Sequence, residues 1–150
     1  MTTPAPLDDL IARLEQATGP DRGLDAEIAC ATGALPVHAP DWVKRWDTPF
    51  VLAAIRGCRA GEVAALNTND TVAWLWSAPA YTAGLDAALT LLHPDHWYLL
   101  GKGRARPDEP LYGVIIRAAN LQEEITVAEA EHPASMAICV CLAALKAKPQ

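Results

Sequence analysis

"YTAGLDAALTLL", Tyr81 to Leu92, reads as an amphipathic helix, and the strands and helix downstream of it decide the fold. Leu85, Ala88, Leu89 and Leu92 recur at i, i+3, i+4 and i+7, one stripe of a 3.6-residue period. Thr82 is the expected N-cap, and His93-Pro94 stops the helix. "WYLL" (Trp97–Leu100) then reads as a strand, and "GKGRARPDEP" as a polar connection rich in glycine and proline. "LYGVIIRA" (Leu111–Ala118) is a second strand and "EITVAEA" (Glu124–Ala130) a weaker third. Their short links favour an antiparallel meander. His132-Pro133 opens a last helix, which carries no charge from Ala134 to Leu145 and is therefore expected to be mostly buried. Lys146 and Lys148 suit its C-terminal dipole. The expectation is an α+β fold: an α-β-β-β-α unit over residues 81–148 around a three-stranded or slightly larger antiparallel sheet. The two helices cover one sheet face. Leu85, Leu89, Val114, Ile116, Ile138 and Leu142 are the expected core.

Upstream, Leu7, Leu10, Ile11 and Leu14 mark one helix, with Asp8 and Asp9 in its first turn. A second starts at Asp21 as N-cap and ends near Gly33, so 7–33 forms the N-terminal helices. Segment 34–80 is a variable insert. Thr48-Pro49 reads as a helix start, with the helix running through "FVLAAIRGC" and resuming at "GEVAAL". "NTND" (Asn67–Asp70) is a turn and "VAWLW" (Val72–Trp76) a strand. The N-terminal helices and this insert pack around the α-β-β-β-α unit, with its second sheet face open to them.

At 150 residues and 51% hydrophobic, the chain is expected to form a single domain, 1–150, with a sizeable core. A net charge of −6 and a pI near 5.1 give no global attraction to nucleic acid or anionic membrane. No apolar run approaches the roughly 20 residues that span a bilayer. "MTTPAPLDDL" lacks the basic and apolar regions of a secretory signal, so a cytoplasmic location is expected. Cys30, Cys58, Cys139 and Cys141 lie in apolar or helical settings and read as reduced thiols.

"YTAGLDAALTLL", a tryptophan-led strand and the helix "PASMAICVCLAALKA" together resemble the phage alpha-beta-alpha sandwich domain proteins, small phage and prophage products. "LDDLIARLEQATGPDRGLDAEIACATG" is similar to the opening of that family, so the resemblance covers roughly 7–33 and 80–148. Gly84 stands where a serine is common and His132 where a threonine is common. The resemblance implies the fold and a phage setting, the host bacterial cytoplasm, and supplies no catalytic residues.

Few residue groups suggest chemistry. "HPDH" (His93, Asp95, His96) is the nearest approach to a metal set, but reads more simply as a helix-ending turn. Cys139 and Cys141, two apart on a helix, point about 200° apart and cannot chelate together. "GKGRAR" (Gly101–Arg106) lacks the spacing and following helix of a phosphate loop, and reads as a solvated hairpin loop. Glu123, Glu124, Glu129 and Glu131 read as a solvated acidic edge. "DWVKRWDTPFVLAAIRGCR" combines Trp42 and Trp46 with Arg45, Arg56 and Arg59, residue types enriched at interface hot spots. That segment is the first candidate contact surface, and Lys102, Arg104 and Arg106 are the second.

With no Ser-His-Asp set or paired carboxylate, the chain reads as a non-enzyme without metal or cofactor. Given the phage setting, the expected role is to bind a host protein and inhibit a host defence system. The alternative is a nucleic-acid-binding module, since helix–strand–strand–strand–helix is the order of a double-stranded-RNA-binding domain. That fold presents lysines at the start of its last helix. Here the position reads "EAEHPAS" (Glu129–Ser135), which repels phosphate.

Overall fold

The computed structural model describes residues 7–32, 39, 50–52, 60–67, 69–106, 109–119 and 124–147, with backbone alone at 50–52, 104–106, 109–110, 119 and 124–125. Helix α1 (Leu7–Gln16) buries Leu10 and Leu14, one turn apart. Helix α2 (Arg22–Thr32) is capped by Asp21, whose Oδ1 accepts from the Leu24 N–H at 3.1 Å. Arg13 joins the two, bonding Asp9 on its own helix at 3.1 Å and Glu27 on α2 at 3.0 Å.

The described residues 50–52 and 60–66 depart from the expected helix. They contribute strands β1 (Phe50–Leu52) and β2 (Glu62–Leu66), which with β3 (Val72–Ser77) form an antiparallel sheet in the order β1-β2-β3. Thr48 and Pro49, the expected helix start, lie outside the described residues. The physical reason is burial on both faces: Val63, Ala64, Ala65 and Leu66 are all buried. A strand covered on both sides has no polar alternation, so its short apolar run imitates a buried helix segment. Small residues suit β2 because its partners are large. Val63 lies opposite Trp76 and Ala65 opposite Trp74, and the two indoles stack at 6.4 Å. The expected turn before β3 is present. Asn67 Oδ1 accepts from the Asn69 and Thr71 N–H groups, and Asp70 adopts φ 62°, which a short polar side chain tolerates.

Strands β4 (His96–Arg106), β5 (Glu109–Ala119) and β6 (Glu124–His132) form the expected meander as a second antiparallel sheet, in the order β4-β5-β6. Gly101–Arg106 is therefore strand rather than loop. Gly101 pairs with Gly113 and Gly103 with Leu111, so the ladder to β5 satisfies the backbone despite the glycines. Helix α3 covers only Leu85–Leu89, shorter than the expected Tyr81–Leu92. Its N-cap is Gly84, with no side-chain bond, and Leu85 is 36% exposed rather than in the core. The first expected turn is used otherwise: Tyr81 and Thr82 are buried, and Thr82 bonds Asp25 of α2.

Helix α4 (Met136–Lys146) buries every residue from Ala137 to Leu145. Its free N-terminal N–H groups are met by side chains. Ser135 Oγ accepts from Ile138, and His132 Nδ1 accepts from Ala134 at 3.1 Å and Ser135 at 3.2 Å. One face of α4 lies on β5 and β6, where Val114, Ile116, Ala128 and Ala130 are buried. Helices α1 and α3 pack against α4 rather than on the sheet, so the expectation of two helices directly on one face is corrected to one helix backed by two others. Helix α2 packs against β1 and β2. Of the expected core, Val114, Ile116, Ile138 and Leu142 are fully buried and Leu89 is half-buried.

Candidate binding surface

Helix α4 reaches β5 and β6 and leaves β4 bare. Tyr98, Leu99 and Leu100 of that strand are 40%, 50% and 38% exposed. Three successive rows of the sheet meet beside it: Leu99–Ile115–Glu129, Leu100–Val114–Ala130 and Gly101–Gly113–Glu131. These nine residues, with Glu15 of α1 and Lys146 of α4, line a groove of about 600 Å³. Glu15 and Lys146 pair at 3.3 Å where the two helices end. The side chains of Leu100, Val114 and Ala130, which share the face toward α4, give the groove an apolar floor, and the rows on either side line it through backbone. The Glu15–Lys146 ion pair forms its rim, while Glu129 and Glu131, each one residue from Ala130, point to the opposite face of the sheet. Such a surface receives an apolar segment.

The candidate residues read from sequence divide sharply. Trp42, Arg45, Trp46, Arg56 and Arg59 all lie outside the described residues. Lys102 is exposed on β4, its ammonium 5.6 Å above the Tyr112 ring. Arg104 and Arg106 come after it on the same strand, opposite Pro110 and Glu109. Tyr98, Leu99 and Leu100 were missed. "WYLL" reveals a strand, but the exposure of an edge strand depends on which neighbours the chain brings to it, and spacing carries no such signal.

Asp25, Arg22 and Thr82 form the most tightly built polar group. Asp25 is fully buried, and its Oδ1 accepts from the Thr82 N–H at 2.7 Å and hydroxyl at 2.8 Å. Its Oδ2 accepts from Arg22 at 2.8 Å. Arg22 also donates to Ser77 Oγ at 2.9 Å and to the carbonyls of Ala78 and Gly61. These bonds tie α2 to the β2–β3 sheet, and both oxygens of the Asp25 carboxylate are taken up by protein partners.

The remaining candidates stay apart. Cys139 Sγ donates to the Tyr112 and Ala130 carbonyls and Cys141 Sγ to the Tyr81 carbonyl, in different directions as the helix requires. Burial pushes both thiols up, Cys139 to about 11 and Cys141 to about 12, and Cys30 likewise to about 11 with a further push from Glu27. These are poor nucleophiles at neutral pH. The His93 and His96 rings lie 4.9 Å apart, but His93 Nδ1 is occupied by the Asp95 N–H. Among the described residues no group of three His, Cys, Asp or Glu is placed to hold a metal ion, and no helix is long and apolar enough to cross a membrane. No protein-family model matches the chain, and no curated protein or solved structure shows significant similarity to it.

Proposed function

We propose that the chain is a small phage or prophage accessory protein that binds a host protein in the bacterial cytoplasm without catalysing a reaction, and so blocks a host defence system. The observation that supports a binding role is the groove beside β4, apolar in its floor and bordered by the Glu15–Lys146 pair. It fits an apolar host segment. The phage setting rests on the resemblance of residues 7–33 and 80–148 to the alpha-beta-alpha sandwich proteins. The segment holding Trp42, Arg45, Trp46, Arg56 and Arg59 extends the contact in this reading.

The test is capture from host lysate with and without nuclease. It compares the native chain with Leu100→Glu and with single alanine variants at those five positions, each checked for folding by circular dichroism. The expected result is a specific protein retained after nuclease treatment and lost with Leu100→Glu. Loss on nuclease treatment, with binding that falls steeply with salt, returns the nucleic-acid reading. Retention by every variant removes both surfaces.

A further inference from the structure

We propose that β4 pairs with β4 of a second copy of this chain, joining the two β4-β5-β6 sheets into one continuous antiparallel sheet. The outer strands of the two sheets differ in how their free edges are guarded. The β1 edge is only three residues long. The β3 edge is six residues long, and its register against β2 shifts at Ala65/Leu66, an irregularity that spoils an edge for pairing. The β6 edge presents the exposed carboxylates of Glu129 and Glu131. The β4 edge is eleven residues long, and no described strand pairs with its outer side. From Trp97 to Gly101 it carries no charge, and Tyr98, Leu99 and Leu100 stand exposed. Long, uncharged edges are templates for pairing with another chain.

The sequence of this edge is complementary to itself about Leu99. In a two-fold pairing the residues that face each other must lie on the same side of the sheet, so the dyad passes through a residue, not between two. Centred on Leu99, the strand sets Leu99 opposite Leu99, Tyr98 opposite Leu100 and Trp97 opposite Gly101. All five uncharged residues then face uncharged residues. Trp97 gains the open space over Gly101, where an added Cβ would meet nothing within 4 Å, and an aromatic over a facing glycine is a stabilising cross-strand arrangement. A dyad one residue further on would place Tyr98 opposite Lys102 and break the match. Centred on Leu99, the two copies of Lys102 fall at opposite ends of the joint, roughly 20 Å apart at about 3.4 Å per residue, so the basic ends do not repel across it. The pairing uses the strand's edge, and the groove opens on the sheet face beside it.

The test is sedimentation velocity of the full chain across the micromolar range, with Leu99→Lys, Leu75→Lys and Leu99→Cys. Leu75, 41% exposed on the other sheet, serves as the control. The expected result is a dimer that Leu99→Lys dissociates at least tenfold more readily while Leu75→Lys leaves it intact, with circular dichroism unchanged in both. Facing residues at the dyad have Cα atoms about 4.5 or 5.5 Å apart, within the roughly 4.4–6.8 Å that a disulfide spans. Leu99→Cys is therefore expected to cross-link under mild oxidation, and Leu75→Cys is not. A chain that stays monomeric throughout, or a dimer that survives Leu99→Lys and does not cross-link through Leu99→Cys, overturns the proposal.

Discussion

Replacing Asp25 with alanine should cost about 2–4 kcal/mol of folding stability, and the partners of its carboxylate explain the size. Arg22 is 42% exposed and keeps its bonds to Ser77 and Ala78, so its guanidinium stays satisfied by protein and water. The Thr82 hydroxyl can turn to the Asp21 carbonyl at 3.2 Å. The Thr82 N–H has no such alternative and becomes a buried, unpaired donor, a loss of about 1–3 kcal/mol. The lost charge-assisted bonds add to this, and relief from burying a carboxylate subtracts. Thr82→Val removes only the hydroxyl and should cost about 1–2 kcal/mol. The two changes share a bond, so the double variant should be less destabilised than the sum by about 1 kcal/mol. Urea unfolding of the four proteins, with equal denaturant slopes, measures all these quantities. A loss below about 1 kcal/mol for Asp25→Ala, or strict additivity in the cycle, would refute the view that this carboxylate anchors the 78–84 turn.

Leu142, fully buried on α4, should lose about 2–5 kcal/mol on change to alanine, measured by the same titration. Gly61 has φ 87°, and an added Cβ would lie 2.8 Å from Arg22 Nε, so Gly61→Ala should cost about 1–3 kcal/mol; that cost should shrink in an Arg22→Ala background. Burial raises Cys139, Cys141 and Tyr81 in the folded state, so their neutral forms are favoured there. The unfolded chain gives up these protons first as pH rises. Stability should therefore be full below pH 9 and decline from there to about pH 12, and Cys141→Ala should flatten that decline. Thiol labelling at pH 8 should leave Cys139 and Cys141 unmodified until denaturant is added; rapid labelling of the native protein would show them to be accessible.

The meander and α4 were legible because each shows its own period. Val114 and Ile116 alternate along β5, and the uncharged run before Lys146 can only be an interior helix. The Glu62–Leu66 run was misread because β2 is covered on both faces, and an apolar run without alternation fits helix and strand alike. The length of α3 was misread for a different reason. Thr82 has the chemistry of an N-cap, but a buried carboxylate 57 residues earlier holds its N–H and hydroxyl. Local pattern does not register so distant a competitor. The groove was illegible in the same sense: its floor draws on three strands and its rim on two helices, so its parts are scattered from Glu15 to Lys146.

The ties among Arg22, Asp25, Gly61, Ala78 and Thr82 also bear on how this chain can change over time. Arg22 bonds the carbonyls of Gly61 and Ala78, the two residues where the β2–β3 hairpin opens, and the Ala78 N–H donates to the Gly61 carbonyl. The open end of that hairpin is thus held from α2, whatever the turn at its other end. Closing a loop twice as long between fixed ends costs only about 0.6 kcal/mol of chain entropy. Insertions or a grafted peptide in the turn between β2 and β3, where Asn67, Asn69, Asp70 and Thr71 are exposed, are therefore cheap for the scaffold. A lineage could exchange that turn repeatedly while the two sheets and α4 stay as they are.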